Sequence, residues 1–378
     1  MKLGRGHFWS IALLYALERI RSRILMQVKG RRVLVRGPMD LQLEEFTVDT
    51  DKLGESEVLV KNRYSAISAG TELSIYTGTN PRAYEHGSWC EYPFVPGYAG
   101  LGEVLAVGRE VSNLRPGDMI FHHSHHSSLD RYPSPSFTHV KISKDLMRPE
   151  VSLIRFALIT LTGSVRLSRV EMGDKVAVFG LGLVGQMATQ LFRLSGADVV
   201  AFDPVESRRN VAQKIGACAG VYDPNKTSPK EILATMTNNR GVDILVEAAG
   251  LPSIVVDNVK SVRSMGHIIL LGLPHGTING DVTEFFRQVF LNWITITGAL
   301  ERNRILEPTD YVKHSYLAEA SYVLDLLRSG ELKTKELVSH IVKPDDFKSA
   351  YDGLLRPYQG RIGPNEEYTA VVVDWSHG

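Results

Sequence analysis

Only two cysteines, Cys90 and Cys218, occur in 378 residues, and they stand too far apart to form a paired metal-binding motif. This scarcity excludes a disulfide framework and a four-cysteine zinc lobe, and it fits a reducing cytoplasm. Charge of one sign is missing too. The 43 basic and 42 acidic residues leave a formal net charge of +1, which argues against nucleic acid or an acidic surface as partner. The apolar stretch from Phe8 to Leu17 is too short to cross a bilayer, so no integral membrane segment is expected. Low-complexity linkers and repeats of fixed period are also lacking. A chain of this length exceeds one ordinary core and implies two domains.

The first 25 residues combine Lys2, Arg5, Arg19, Arg21 and Arg23 with that apolar stretch, and Glu18-Arg19-Ile20-Arg21 stands where a secretory leader would want small residues. We read residues 1–25 as an extension, weakly ordered or helical, with Met26 as an alternative start. The rival reading is a membrane-surface helix that sets positive charge beside Phe8, Trp9 and Leu13.

What is present centres on residues 176–185, Val-Ala-Val-Phe-Gly-Leu-Gly-Leu-Val-Gly, followed eighteen residues later by Asp203 at the end of a second apolar run. The glycines follow a β-branched strand and open a helix-like stretch, which is the context a dinucleotide fingerprint requires. Gly180 permits the turn, Gly182 lets the backbone approach a pyrophosphate, and Gly185 lets helix and strand pack closely. Backbone amides of the Leu181, Leu183 and Val184 region then face the phosphates. Asp203 would accept hydrogen bonds from the adenosine ribose and repel an added phosphate, which favours NAD. Arg208 and Arg209 follow closely and could attract that phosphate, so NADP is the alternative.

From Val33 to about Val140 the pattern is short and β-like, with glycine and proline turns, as in an irregular β-barrel. After a helix predicted from Val151 to about Arg169, strands alternate with helices, which predicts a doubly wound parallel sheet. Beyond Thr297 the chain becomes mostly helical and ends in a strand over Thr369–Val373, expected to return to the β-rich part. Helical spacing predicts that most of the aromatic segment Phe285–Trp293 is core.

These motifs resemble the medium-chain dehydrogenase/reductase superfamily from Met26 onward. Ser65-Ala66-Ile67-Ser68-Ala69-Gly70-Thr71-Glu72 resembles the segment bearing the first catalytic zinc cysteine, and Pro96-Gly97-Tyr98-Ala99-Gly100 resembles the Pro-Gly-His-Glu segment. Glu247-Ala248-Ala249-Gly250 and Leu271-Gly272 resemble strand ends that line the cofactor cleft. The resemblance implies an α/β fold with a GroES-like domain (26–150), a Rossmann domain (151–300) and a C-terminal segment (301–378) rejoining the first. It also implies a homodimer joined through the strand Ile294–Gly298.

The departures carry the chemistry. Ser68 or Ala69 stands in place of the zinc cysteine, Tyr98 and Ala99 replace histidine and glutamate, and the third ligand, expected near Ile159 or Thr160, is absent. Such donors do not build a zinc site, so a zinc-free member is inferred. It is closest to a branch that includes bacteriochlorophyllide dehydrogenases. Without metal a hydroxyl must handle the proton, and Tyr98 is the first candidate, with a pocket wall as its alternative. Ser68 and Thr71 follow as relay groups, with turn stabilisation the alternative for Ser68; Glu72 is expected to pair with an arginine at the domain boundary, with proton buffering as its alternative. The run His122-His123-Ser124-His125-His126 could bind metal, contact substrate or form a solvated turn, with His122 or His123 favoured for catalysis. The expected activity interconverts an alcohol and a carbonyl on a polar small molecule. The alternatives are an enoyl or quinone reductase and a dinucleotide-binding redox sensor.

Overall fold

The computed structural model describes residues 27–133, 138–275, 277–301, 305–307, 309–358, 361–363 and 368–377. The expectations for residues 1–25 and Met26 lie outside the described residues.

The strand Lys175–Phe179 is apolar and buried on both faces from Val176 onward, as a central parallel strand must be. It pairs in parallel with Asp198–Phe202 on one side and Val242–Glu247 on the other. Gly220–Tyr222 extends the sheet beyond Asp198–Phe202, while Val262–Leu270 and then Thr295–Gly298 extend it beyond Val242–Glu247. The chain therefore reverses its winding between Lys175–Phe179 and Val242–Glu247, and ligands of such sheets bind beyond the carboxyl ends at this switch point. This is a Rossmann-type doubly wound sheet.

A second sheet of seven strands contains Glu57–Ala66, Gly100–Val107, Met119–His122, Leu129–Pro133 and His139–Lys141. The C-terminal strand Ala370–Asp374 joins it, antiparallel to Glu57–Ala66. Trp375 follows, 1% exposed, and its indole Nε1–H donates to Ser65 Oγ at 2.8 Å.

Between the sheets runs a continuous helical stretch from Pro149 to Ser168, with a π-helical turn over Leu161–Val165. It is the one described stretch long and apolar enough to cross a membrane, but 67% of its window is buried within the fold. It is a core helix. Its residues share one cluster with Ala99, Leu101 and Phe121 of the barrel and with Val176 and Val178 of the nucleotide sheet. At Gly163 a Cβ would lie 2.3 Å from the Ala299 carbonyl oxygen, so glycine is what lets this helix reach the end of the parallel sheet.

The aromatic segment departs from expectation. The helix Thr283–Leu291 turns Phe285 and Val289 onto the sheet, but Phe286, Phe290, Leu291 and Trp293 face outward, Phe290 78% and Trp293 74% exposed. The helix covers an edge rather than a centre of the sheet. Only one of its sides has anything to pack against, so helical spacing alone overstated the core.

Candidate active site

At the switch point the first glycine turn is built for close approach. Gly180 has φ of +93°, in the region that favours glycine. A Cβ on Gly185 would lie 1.9 Å from the Gly180 carbonyl oxygen, whereas one on Gly182 would meet nothing within 4 Å. Gly182 starts the helix Leu183–Leu194 with no side-chain cap, which leaves an open, positively polarised helix end beside empty space. Leu181 is buried, and Leu183 and Val184 are half-buried at this helix start. These residues fit a pyrophosphate.

Asp203 is 1% exposed, and its carboxylate accepts from Leu181 N–H (2.6 Å) and Val205 N–H (2.7 Å), with Arg208 at 3.4 Å. It thus shapes the glycine turn as well as closing the strand. Arg209 donates to the Asp203 carbonyl. Opposite, Ala248 N–H donates to the Phe179 carbonyl, and Gly272 packs so closely on Gly250 that a Cβ would lie 2.3 Å from its nitrogen. Glu247 holds this rim through bonds from the backbone N–H groups of Ala249, Gly250 and Leu251. Burial pushes its carboxyl up to about 7.

The barrel side brings the predicted hydroxyls together. The Tyr98 phenol is hydrogen-bonded to Ser68 Oγ and lies 3.5 Å from Thr71 Oγ1. Burial pushes the phenol above its ordinary value, opposed by the Ser68 and Thr71 bonds and by the nearby Arg155 charge. Ser68 precedes the helix Ala69–Tyr76, yet its hydroxyl makes no capping bond. The turn-stabilising role is therefore not the one its hydroxyl plays; its backbone N–H instead donates to Glu72 Oε1 at 2.8 Å. Among the described residues Glu72 pairs with no arginine. Its Oε2 accepts from His126 Nε2 (2.9 Å) and from the Tyr351 hydroxyl (2.6 Å), deep in the core.

The histidine run divides by environment. His122 is fully buried, with Nε2 2.8 Å from Asn62 Oδ1, so it does not line an open cleft. His123 Nε2 meets the Tyr316 hydroxyl at 3.0 Å, His125 pairs with Asp130, and His126 joins Glu72 and Ser65. Ser65, His126 and Glu72 line up like a nucleophile, base and acid. Burial of all three denies a substrate access to them.

Two neighbours of Tyr98 escaped the sequence reading. Arg155 places its guanidinium 5.6 Å from the Tyr98 ring centre and pairs with Glu301. The available signal was a lone arginine inside the apolar run Val151–Leu161. A zinc ion finds no fitting donors here: Ser68, Tyr98 and Ala99 stand at the expected positions, and Thr160 Oγ1 is turned onto the Phe156 carbonyl. Among the described residues no group of three histidine, cysteine or acidic side chains could hold a metal.

Two family models match this chain, the alcohol dehydrogenase GroES-like domain over residues 54–135 and the zinc-binding dehydrogenase over residues 184–314. Together they cover more than half of it. The chain belongs to the medium-chain dehydrogenase/reductase superfamily, among its zinc-type alcohol dehydrogenase-like members. The L-threonine 3-dehydrogenase of Bacillus velezensis is 24% identical over 342 residues, covering 82% of this chain and 91% of that relative. A Sinorhizobium meliloti protein assigned as a zinc-binding dehydrogenase and solved bound to NADP superposes with a TM-score of 0.72 at 18% identity, covering 92% of this chain and 99% of that one. An Escherichia coli alcohol dehydrogenase complexed with NADH gives 0.71 at 17% identity, with the same coverage. The superfamily fold is thus present across nearly the whole of this member.

Burial gives this site a measurable pH signature. It lowers His122 from 6.5 to about 4, so the unfolded chain takes up this proton first as pH falls. The stability tied to neutral His122 is complete above pH 6.5 and is lost towards pH 4, by about 3 kcal/mol in all. Urea unfolding at pH 7.5 and pH 4.5 should show a smaller acid loss in His122→Gln than in the unmodified protein; equal losses would contradict this.

Proposed function

We propose that this protein is an NAD(H)-dependent, zinc-independent oxidoreductase that interconverts an alcohol and a carbonyl on a polar small molecule. The observation that carries the proposal is an intact dinucleotide cradle in a chain whose metal-ligand positions hold the bonded pair Tyr98 and Ser68. In this reading residues 26–150 and 301–378 form the catalytic side, residues 151–300 hold the dinucleotide, and the enzyme works in the cytoplasm.

When bound, the nicotinamide supplies the hydride acceptor or donor. The chain's own residues then have two tasks. The first is to hold the cofactor: Gly180, Gly182 and Gly185 admit the pyrophosphate, Ala248 and Gly272 line the opposite rim, and Asp203 biases the adenosine end against an added phosphate. The second is to move the hydroxyl proton, which passes between the substrate oxygen and Tyr98 Oη, with Ser68 and Thr71 holding the phenol in place. The relatives support the alcohol-carbonyl class, since a threonine dehydrogenase and an alcohol dehydrogenase are among them. Both NADP and NADH occur among solved relatives, so the preference for NAD rests on Asp203.

A homodimer completes the proposal. The exposed face of Phe286, Phe290 and Trp293 adjoins the strand Thr295–Gly298, whose outer edge has no partner strand among the described residues. A second copy that extends the sheet there would cover both.

Tyr98→Phe should lower kcat by about 10²–10⁴-fold without weakening the dinucleotide, and fluorescence titration should give tighter binding of NADH than of NADPH. Unchanged turnover would reduce Tyr98 to a pocket wall, and tighter NADPH binding would overturn the role given to Asp203. For the dimer, sedimentation should show the monomer mass after Phe290→Glu with Trp293→Glu and twice that mass before. A monomeric unmodified protein would refute it.

A further inference from the structure

Charge is unevenly distributed around Tyr98. The carboxylate of Glu72 lies on the barrel side and disfavours a negative charge on Tyr98; the Tyr351 phenol stands beside it, itself held protonated by burial and by Glu72. Ser68 and Thr71 contribute hydroxyls but no charge. From the core helix comes Arg155, its side chain 11% exposed, its guanidinium carbon 5.6 Å from the Tyr98 ring centre. Beyond it lie Glu301, which is its ion partner and 7% exposed, and the linked pair His123 and Tyr316. Burial and the Arg155 charge hold His123 neutral near physiological pH, so among the described residues Arg155 is the cation that faces Tyr98.

Arg155 is not consumed by its ion pair. A guanidinium has five N–H donors in a fixed fork. Here Nη1 serves Glu301, while Nε is buried and donates to no acceptor among the described residues. A buried arginine that leaves a donor unpaired forgoes a stronger pairing, which is unusual for a purely structural ion pair. What the arrangement does provide is a positive charge against the face of the one phenol placed for proton transfer, at a distance where cation and ring attract.

We propose that Arg155 is a positioning residue for Tyr98: its guanidinium fixes the ring against the Ser68 hydroxyl and stabilises the phenolate, and Glu301 sets how much of that charge Tyr98 feels. The proposal rests on the function proposed above for Tyr98. In alcohol oxidation the phenolate would take the proton from the substrate oxygen, and a bound nicotinamide would supply the acceptor for the hydride from the carbon that bears that oxygen. One proton and one hydride depart, and a carbonyl remains. Without a metal to acidify the alcohol, the fraction of Tyr98 present as phenolate limits this step, and Arg155 governs that fraction.

The test reads the phenol directly. Full-length protein labelled with ¹³C at the tyrosine ζ carbon is titrated by NMR, with the Tyr98 resonance assigned by its loss in Tyr98→Phe. Arg155→Met should raise the Tyr98 midpoint by about one unit or more, equivalent to a tenfold loss of phenolate at fixed pH. The Arg155→Lys variant should stay near the unmodified value, and Glu301→Gln should move it down. The ascending limb of the kcat/KM profile for alcohol oxidation, where the phenolate forms, should shift in the same directions, while NADH affinity stays constant. The double variant Arg155→Met with Glu301→Gln removes the pair together, so a folding defect from one unpaired charge is recognised by its absence there. An unmoved Tyr98 midpoint in a folded Arg155→Met protein overturns the proposal. A shifted midpoint with turnover unaffected by Tyr98→Phe would instead leave Arg155 as the tuner of Tyr98 and remove the catalytic role of the tyrosine.

Discussion

The site depends on one buried carboxylate. Glu72 is 2% exposed, and a charge at that depth persists only if its lone pairs are filled. Three parts of the chain fill them: the Ser68 backbone, His126 of the histidine run, and Tyr351 of the C-terminal helix Phe347–Leu354. The network closes when Ser65, accepting from Trp375, donates to His126 Nδ1, which leaves His126 Nε2–H for Glu72. The turn that presents Ser68 to Tyr98 is therefore pinned by residues some 280 positions apart. The returning C-terminal strand does more than close a sheet. It brings Trp375 to the network that fixes the turn bearing Ser68.

On this foundation the cleft opposes two kinds of chemistry. The nucleotide side offers backbone: an uncapped helix end, glycines that admit no side chain, and rims held by Asp203 and Glu247. The barrel side offers hydroxyls, and the core helix sets the guanidinium of Arg155 against them. Hydroxyls alone would be poor proton acceptors in a buried setting, because burial raises the phenol. Arg155 acts against that rise, and its pairing with Glu301 keeps the pair close to neutral overall.

The legible part of this protein is the part in which local sequence dictates local geometry. The glycine turn, its flanking strand and the closing acid are fixed by backbone sterics within thirty residues, and Tyr98 and Ser68 could be picked out because they stand where metal donors are expected. The histidine run was harder to read. Whether an imidazole is open to substrate depends on what packs over it from distant strands, and His122 proved buried while His126 found Glu72. Arg155 carried a signal that went unused, a charge in an apolar helix, and its meaning required Tyr98 and Glu301 to arrive from either side of it. The outward aromatic face of Thr283–Leu291 was misread for the same reason: periodicity reports that a helix has an apolar side, and only the sheet edge decides whether anything covers it.

The account turns on proton transfer without a Lewis acid, and metal content measured alongside hydride transfer tests it most directly. Purified protein dialysed against a strong chelator should contain far less than one zinc per chain. It should still transfer deuterium from deuterated NADH to a carbonyl substrate at its full rate. One tightly held zinc per chain, or a rate that vanishes with the chelator and returns with added zinc, would contradict it.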